Sequence, residues 1–244
     1  MSEIKIAMWS GPRNLSTAMM RSFENRPDCR VWDEPYYAAY LAASGIVHPM
    51  NDEILAAHEN DPLKVAATCL EDVRAETQTY FYQKHMPHHM LDSFDISWIS
   101  KVRNAFLVRA PERVLASYAA KREEVTLEDL GYKQQHQIFQ QLCDKLGKAP
   151  PVVEAEDVRG APKRTISALC AALDMPFHAS MLNWPAGKRD SDGVWAAHWY
   201  KNVEQSTGFA PLPEDDALPN LPDHLRVIAE QARPLFEELQ QFKV

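Results

Sequence analysis

Two short segments of this 244-residue chain combine residue types that can hold an anion. The first is Ser10-Gly11-Pro12-Arg13-Asn14-Leu15-Ser16-Thr17. It lies between an apolar run and a helical pattern. Backbone N–H groups at a helix start attract anions, and the helix dipole adds to that attraction. Arg13 supplies a cation there; Asn14, Ser16 and Thr17 supply side-chain donors. The segment reads as a cradle for a phosphate-like group. It is not a Walker A loop, because no G-x-x-x-x-G-K-[ST] occurs in the chain, and this weighs against ATP-magnesium chemistry. The second segment runs from Phe106 to Tyr118. Arg109 leaves a strand, and Ser117 follows on the next helix. A guanidinium fork beside a hydroxyl suits a terminal phosphate.

The elements that position these residues follow from periodicity and punctuation. Ile4 to Trp9, Cys29 to Trp32, Thr77 to Lys84, Ala105 to Val108 and Pro151 to Ala155 read as short strands. Leu15 to Phe23, the segment opening at Pro111-Glu112, Thr126 to Leu146 (stopped by Gly147), Lys163 to Leu173 and Pro222 to Phe242 read as helices. Residues 36–76 read as helical pieces broken at Pro49 and Pro62. The proline-rich stretch 211–222 reads as an irregular loop, and Lys121 to Glu124 as a solvated helix end. Short apolar strands alternating with helices imply a parallel sheet covered on both faces, hence a single α/β domain over residues 1–244. Ligands of such folds sit beyond the carboxyl ends of the strands. Arg13, Glu34 and Arg109 each directly follow a strand, and Lys84 and His85 end a fourth.

Composition narrows the function further. Lys+Arg 26 against Asp+Glu 34 gives a formal charge of −8, which argues against nucleic acid or an anionic membrane as partner. No apolar run approaches a membrane span, and the start MSEIKIAMW lacks a signal-peptide pattern. The four cysteines are scattered, with no C-x-x-C pair and no metal-ligand spacing. A cytoplasmic protein with reduced thiols and no metal is expected. Composition leaves open a small anionic ligand held by a few local cations, and a homodimer is admissible.

The two anion segments, taken with two later ones, resemble the sulfotransferases that use 3′-phosphoadenosine 5′-phosphosulfate (PAPS). Pro12 to Thr17 is similar to that family's 5′-phosphosulfate loop, P-[KR]-S-G-T-T. Arg109 to Ser117 is similar to its 3′-phosphate segment, with Arg and Ser in register. Glu156-Asp157-Val158-Arg159-Gly160-Ala161-Pro162, followed by a helix and Leu173-Asp174-Met175-Pro176-Phe177, resembles a third family segment. Lys188 to Trp195 resembles its C-terminal glycine loop, with Asp190 in place of the first Gly. Where cytosolic members carry an adenine-stacking Trp, this chain has Ala18. The resemblance spans residues 4–203 and leaves 36–76 as the acceptor-specific part. It implies a P-loop-like α/β fold and transfer of a sulfuryl group from PAPS to a hydroxyl or amine, leaving adenosine 3′,5′-bisphosphate. It further implies donor contacts from Arg13, Asn14, Ser16, Thr17, Arg109, Ser117, Lys188 and Arg189.

Such a transfer needs a base within hydrogen-bond reach of the acceptor. Two residues resemble family bases: His85, in Lys84-His85-Met86-Pro87, and Glu34, just after the second strand. The resemblance places Lys84 beside the sulfuryl oxygens. His88, His89 and His198 are further histidines near this chemistry, and Trp184, Trp195 and Trp199 are candidates for an aromatic pocket. Two other readings remain open: a P-loop kinase acting with ATP-magnesium on a small molecule, and a nucleotide-binding module without turnover.

Overall fold

The computed structural model of the protein describes residues 3–72, 78–119, 125–213 and 217–244. Five strands pair in parallel: β1 (Ile4–Ser10), β2 (Cys29–Asp33), β3 (Tyr80–His85), β4 (Arg103–Val108) and β5 (Val152–Glu154). Their order across the sheet is β2-β3-β1-β4-β5. Helix α1 (Ser16–Glu24) connects β1 to β2. Helices α2 (Tyr37–Ser44), α3 (Asn51–Ala57) and α4 (Pro62–Leu70) lie between β2 and β3 in the chain, and α5 (Pro111–Ala119) follows β4. After α5 come α6 (Leu127–Leu130), α7 (Tyr132–Leu146), α8 (Ala155–Gly160) and α9 (Pro162–Ala172). Two single-turn helices, α10 (Ala196–Trp199) and α11 (Lys201–Glu204), precede the long α12 (Asp223–Gln240). The expected single α/β domain with a central parallel sheet is the observed one.

Alternation along each strand divides the core into two layers. Ile6, Met8, Tyr82, Leu107 and Val153 face α1, α8 and α9 through Met19, Met20, Phe23, Val158, Ile166 and Leu169. Ala7, Trp9, Phe106, Val108 and Val152 face the opposite layer, where Val114, Leu115, Ile138, Phe139 and Phe236 cover them. Both faces are buried, which is why the strands read as nearly continuous apolar runs. A third cluster, built from Tyr37, Tyr40, Leu41, Ile54, Trp195 and Tyr200, packs separately.

The chain leaves β1 toward β3 and β2 on one side of the sheet, then crosses to β4 and β5 on the other. The loops that follow β1 and β4 therefore diverge, opening a crevice at the carboxyl edge. The β1–α1 loop enters it at Gly11. A Cβ there would lie 2.5 Å from the Leu130 carbonyl oxygen, so only glycine lets the loop run beneath α6.

Some boundaries differ from the sequence reading. The third strand is expected from Thr77 to Lys84 and is observed from Tyr80 to His85; Thr77 lies outside the described residues. Lys121 to Glu124 likewise lie outside them. The helix expected over Thr126–Leu146 is two helices. Gly131 ends α6 at φ 72°, and the chain restarts as α7. A left-handed residue caps one helix and cannot continue it, and His88 packs against that glycine, 3.3 Å from where a Cβ would stand. Thr126 caps α6 reciprocally with Asp129.

Candidate active site

A cavity of about 350 Å³ opens at the carboxyl edge of the sheet. One end is cationic. Pro12, Arg13, Ser16 and Thr17 line it from the β1–α1 loop, Arg109 and Ser117 from β4 and α5, and Arg159 from α8. Leu15 stands at the N-cap of α1 without a side-chain cap. Among the described residues, the backbone N–H groups of Ser16, Thr17 and Ala18 meet no protein acceptor. Arg13 donates from Nε to Ser117 Oγ (3.0 Å), and Arg109 donates to the Arg13 carbonyl (3.0 Å). Arg109 is oriented from its other edge by Glu156 (2.9 Å). Burial, then the neighbouring Arg109, presses the Arg13 proton affinity down; arginine nonetheless stays charged. Among the described residues, three guanidinium groups thus line this end, and the Glu156 carboxylate is not among its lining residues. An incoming anion is favoured by their charge and by the open N–H groups of α1.

The other end is an acid–base cluster. Lys84 Nζ lies 2.7 Å from Asp33 Oδ1, 2.7 Å from Glu34 Oε1 and 2.6 Å from the Tyr200 hydroxyl. Tyr200 donates in turn to Asp33 Oδ2 (2.6 Å) and accepts from Trp195 Nε1 (3.2 Å). The Gly193 N–H reaches the same Asp33 oxygen at 3.3 Å. Strand register brings the first pair together, since Asp33 of β2 stands opposite Lys84 of β3. Burial works against a charged Lys84, but Asp33 and Glu34 outweigh it and hold the ammonium well above its ordinary value. Burial, reinforced by Asp33, raises the Glu34 carboxyl, while Lys84 opposes the rise.

Glu34, Lys84 and Tyr200 line the cavity beside Tyr37, His48 and His89. The His89 ring is stacked between Tyr37 (4.5 Å) and Tyr40 (4.9 Å). Tyr37 and His48 Nδ1 share a hydrogen bond of 2.8 Å. This wall is aromatic, and the buried His89 imidazole is neutral, because burial and the neighbouring histidines push its pKa well below the ordinary value.

Backbone conformation marks the same places. Arg13 (φ 60°), Leu15 (φ 70°) and Glu34 (φ 41°) are left-handed although none is glycine, and all three line the cavity. Strain of this kind persists where surrounding bonds over-determine it. At Glu34 those bonds are its own N–H to the Lys84 carbonyl and the Tyr37 N–H to its carbonyl, both 3.0 Å.

Several expected site residues are placed elsewhere. His85 is not among the cavity-lining residues. It follows Lys84 on a strand, so the two side chains take opposite faces, and His85 stacks on Trp9 at 4.7 Å and shares a hydrogen bond with Gln83 at 3.1 Å. Burial pushes its pKa down to about 3. Asn14 turns its amide toward the Leu107 carbonyl (3.4 Å) and does not line the cavity. Lys188 and Arg189 lie outside it too; Arg189 pairs with Glu24 at 3.6 Å and binds Asp192 through its N–H at 2.9 Å. His198 is exposed, and of the three tryptophans only Trp199 reaches the cavity. Sequence reasoning singled out neither Tyr200 nor Asp33 as functional. Asp33 was legible as a strand-end acid, whereas nothing in the spacing of Tyr200 signals its return to β2.

The buried histidines make a stability prediction. His85 and His89 fold as neutral imidazoles, while the unfolded chain protonates them near pH 6.5. Below that pH the unfolded state binds more protons, so stability falls as pH falls. The slope approaches about 1.4 kcal/mol per pH unit per histidine. Urea midpoints at pH 7.5 and pH 5 should differ accordingly, and replacing His85 with Phe should flatten the dependence.

A parallel sheet whose carboxyl edge carries a cationic loop at a helix N-terminus and a buried carboxylate–ammonium cluster has the layout of a group-transfer α/β enzyme. The chain belongs to the sulfotransferase-domain family, whose model matches residues 4–240. The fold agrees with solved sulfotransferase domains. That of the Synechococcus PCC 7002 olefin synthase superposes with a TM-score of 0.62 at 17% identity, covering 97% of this chain and 95% of that one. The sulfotransferase from Alicyclobacillus acidocaldarius gives 0.52 at 12% identity, covering 100% and 98%. Two curated Arabidopsis thaliana relatives are called branched-chain-amino-acid aminotransferase-like proteins 1 and 2. The first is 38% identical over 84% of this chain, the second 34% over 96%. The chain spans only 36% and 41% of their lengths, so their names describe much longer proteins. No helix among the described residues is long and apolar enough to cross a membrane.

Proposed function

We propose that this chain transfers a sulfuryl group from PAPS to a hydroxyl or amine of a small-molecule acceptor, without a metal, in the cytoplasm. The observation that carries the reading is the two-ended cavity, with guanidinium groups and open helix N–H groups at one end and Glu34 with Lys84 at the other. The residues fit the donor at two points. The α1 N-terminus with Arg13 suits the 5′-phosphosulfate, and Arg109 with Ser117 suits a second phosphate. Small residues, Ala18, Ala155, Gly208 and Ala210, leave room along the wall for a flat base.

In the transfer the acceptor oxygen or nitrogen forms a bond to sulfur, and the bond from sulfur to the 5′-phosphate oxygen breaks. Negative charge gathers on that leaving oxygen, where Arg13 and the α1 N–H groups would stabilise it. The acceptor proton passes to the Glu34 carboxylate, which lines the cavity and whose raised pKa suits a base. Placement favours Glu34 over His85 for this role.

Binding of adenosine 3′,5′-bisphosphate tests the donor assignment. At ~100 times its Kd the bisphosphate should stabilise the fold by about 2.7 kcal/mol. The rise in melting temperature should survive EDTA. A shift given only by ATP with magnesium would instead establish the kinase reading.

A further inference from the structure

Lys84 faces two carboxylates, although one would balance its charge. The two are not held alike. Asp33 has both oxygens engaged: Oδ1 by Lys84, and Oδ2 by the Tyr200 hydroxyl at 2.6 Å and the Gly193 N–H at 3.3 Å. It is 2% exposed and does not line the cavity. Glu34 receives Lys84 on Oε1 and also feels the Tyr200 hydroxyl, but among the described residues no backbone N–H holds its carboxylate as Gly193 holds Asp33, and its side chain borders the cavity.

The support behind Asp33 is itself fixed. Trp195 Nε1 donates to the Tyr200 hydroxyl, so that oxygen has its own proton left to give to Asp33. Gly193 packs so closely on the Trp195 ring that a Cβ would lie 2.2 Å from it. The backbone donor to Asp33 therefore depends on glycine at that position.

We propose that Asp33, fixed by Tyr200 and the Gly193 N–H, is a positioning residue that takes the countercharge of Lys84 and leaves Glu34 as the surplus carboxylate facing the acceptor. This deepens the proposed function and rests on Glu34 being the base. A Glu34 paired alone with Lys84 would be a poor proton acceptor, because a buried ammonium stabilises the carboxylate anion. With Asp33 in place, the ammonium is already matched and Glu34 keeps its proton affinity.

The groups facing Glu34 come from every side of the cluster. Asp33 adjoins it on β2, Lys84 comes from β3, and Tyr200 follows α10. Tyr37, His48, His88 and His89 border the same cavity. His89 is neutral in the fold, and Lys84 is the cation bonded to Glu34, at 2.7 Å.

The test reads Glu34 directly and needs no acceptor. In protein carrying 13C-labelled glutamate, the Glu34 side-chain signal is the one missing from Glu34→Gln. Its titration is followed in the wild type and in Asp33→Asn. Asp33→Asn should lower the Glu34 proton affinity at least tenfold, because Glu34 is then the one carboxylate among the described residues bonded to Lys84. An unchanged or raised affinity would overturn the proposal. Should Asp33→Asn fail to fold, Glu34→Gln decides through its melting temperature. A surplus carboxylate is dispensable, so Glu34→Gln should melt near the wild type; a collapse matching that of Asp33→Asn means the two acids share Lys84 equally, and the proposal fails. The catalytic reading of Glu34 fails by a different sign, namely transfer activity retained in Glu34→Gln, so the two failures are separable.

Discussion

Glu34→Gln should cut turnover by about 10²–10⁴-fold, the usual span for loss of a general base. The measurement is release of adenosine 3′,5′-bisphosphate from PAPS with a panel of small hydroxyl and amine acceptors. The substituted amide keeps the size of the side chain and an oxygen for Lys84, so bisphosphate binding should persist. The wild-type rate should rise with pH as Glu34 loses its proton, since the carboxylate is the active form. That limb should lie above the ordinary Glu pKa of about 4.3, because burial and Asp33 raise it. In Glu34→Gln the limb should vanish. His85→Asn should leave it in place and lower the melting temperature instead, because His85 packs on Trp9 away from the cavity. Loss of the limb in His85→Asn, with Glu34→Gln active, would reverse the assignment.

Arg13→Ala should cost about 10²–10³ in kcat, as removal of a donor to developing negative charge typically does. Its guanidinium lines the cavity at the α1 N-terminus, while its Nε is anchored to Ser117 Oγ. Arg109→Ala should act differently. In the proposed complex Arg109 would meet the 3′-phosphate, whose charge does not change in the reaction, so its loss should raise KM and weaken bisphosphate binding. The two positions are mechanically joined through the Arg109 bond to the Arg13 carbonyl. The double variant should therefore lose less than the product of the single effects. Equal losses of affinity in both single variants, with kcat intact, would refute this division.

The fold was legible because each strand is buried on both faces, and buried parallel strands leave a plain record of short apolar runs. The anion end was legible for a related reason. Arg13 stands in the loop just past β1 and Arg109 directly follows β4, and strand ends of a parallel sheet must meet along one edge. Local chemistry also wrote the breaks at Pro49 and Pro62. The helix from Thr126 to Leu146 was misread because Gly131 is tolerated within an amphipathic pattern. Its left-handed turn follows from packing beneath His88, which the pattern does not record.

At the acid–base end, sequence alone supplied the residue types, and tertiary structure decided their use. Glu34, Lys84 and His85 all stand at strand ends, but the two-residue period of β3 sends Lys84 to the cavity and His85 into the core. Strand register then sets Asp33 against Lys84. Tyr200 reaches them from 116 positions beyond Lys84, and the Gly193 N–H reaches Asp33 across 160. Such contacts leave no local signal, since they depend on which segments the packed core brings back to the sheet edge. The chain itself therefore determined a parallel α/β domain with a cationic loop at the sheet edge. Only the folded molecule decided that both acids meet the Lys84 ammonium, Asp33 enclosed behind it and Glu34 at the cavity wall.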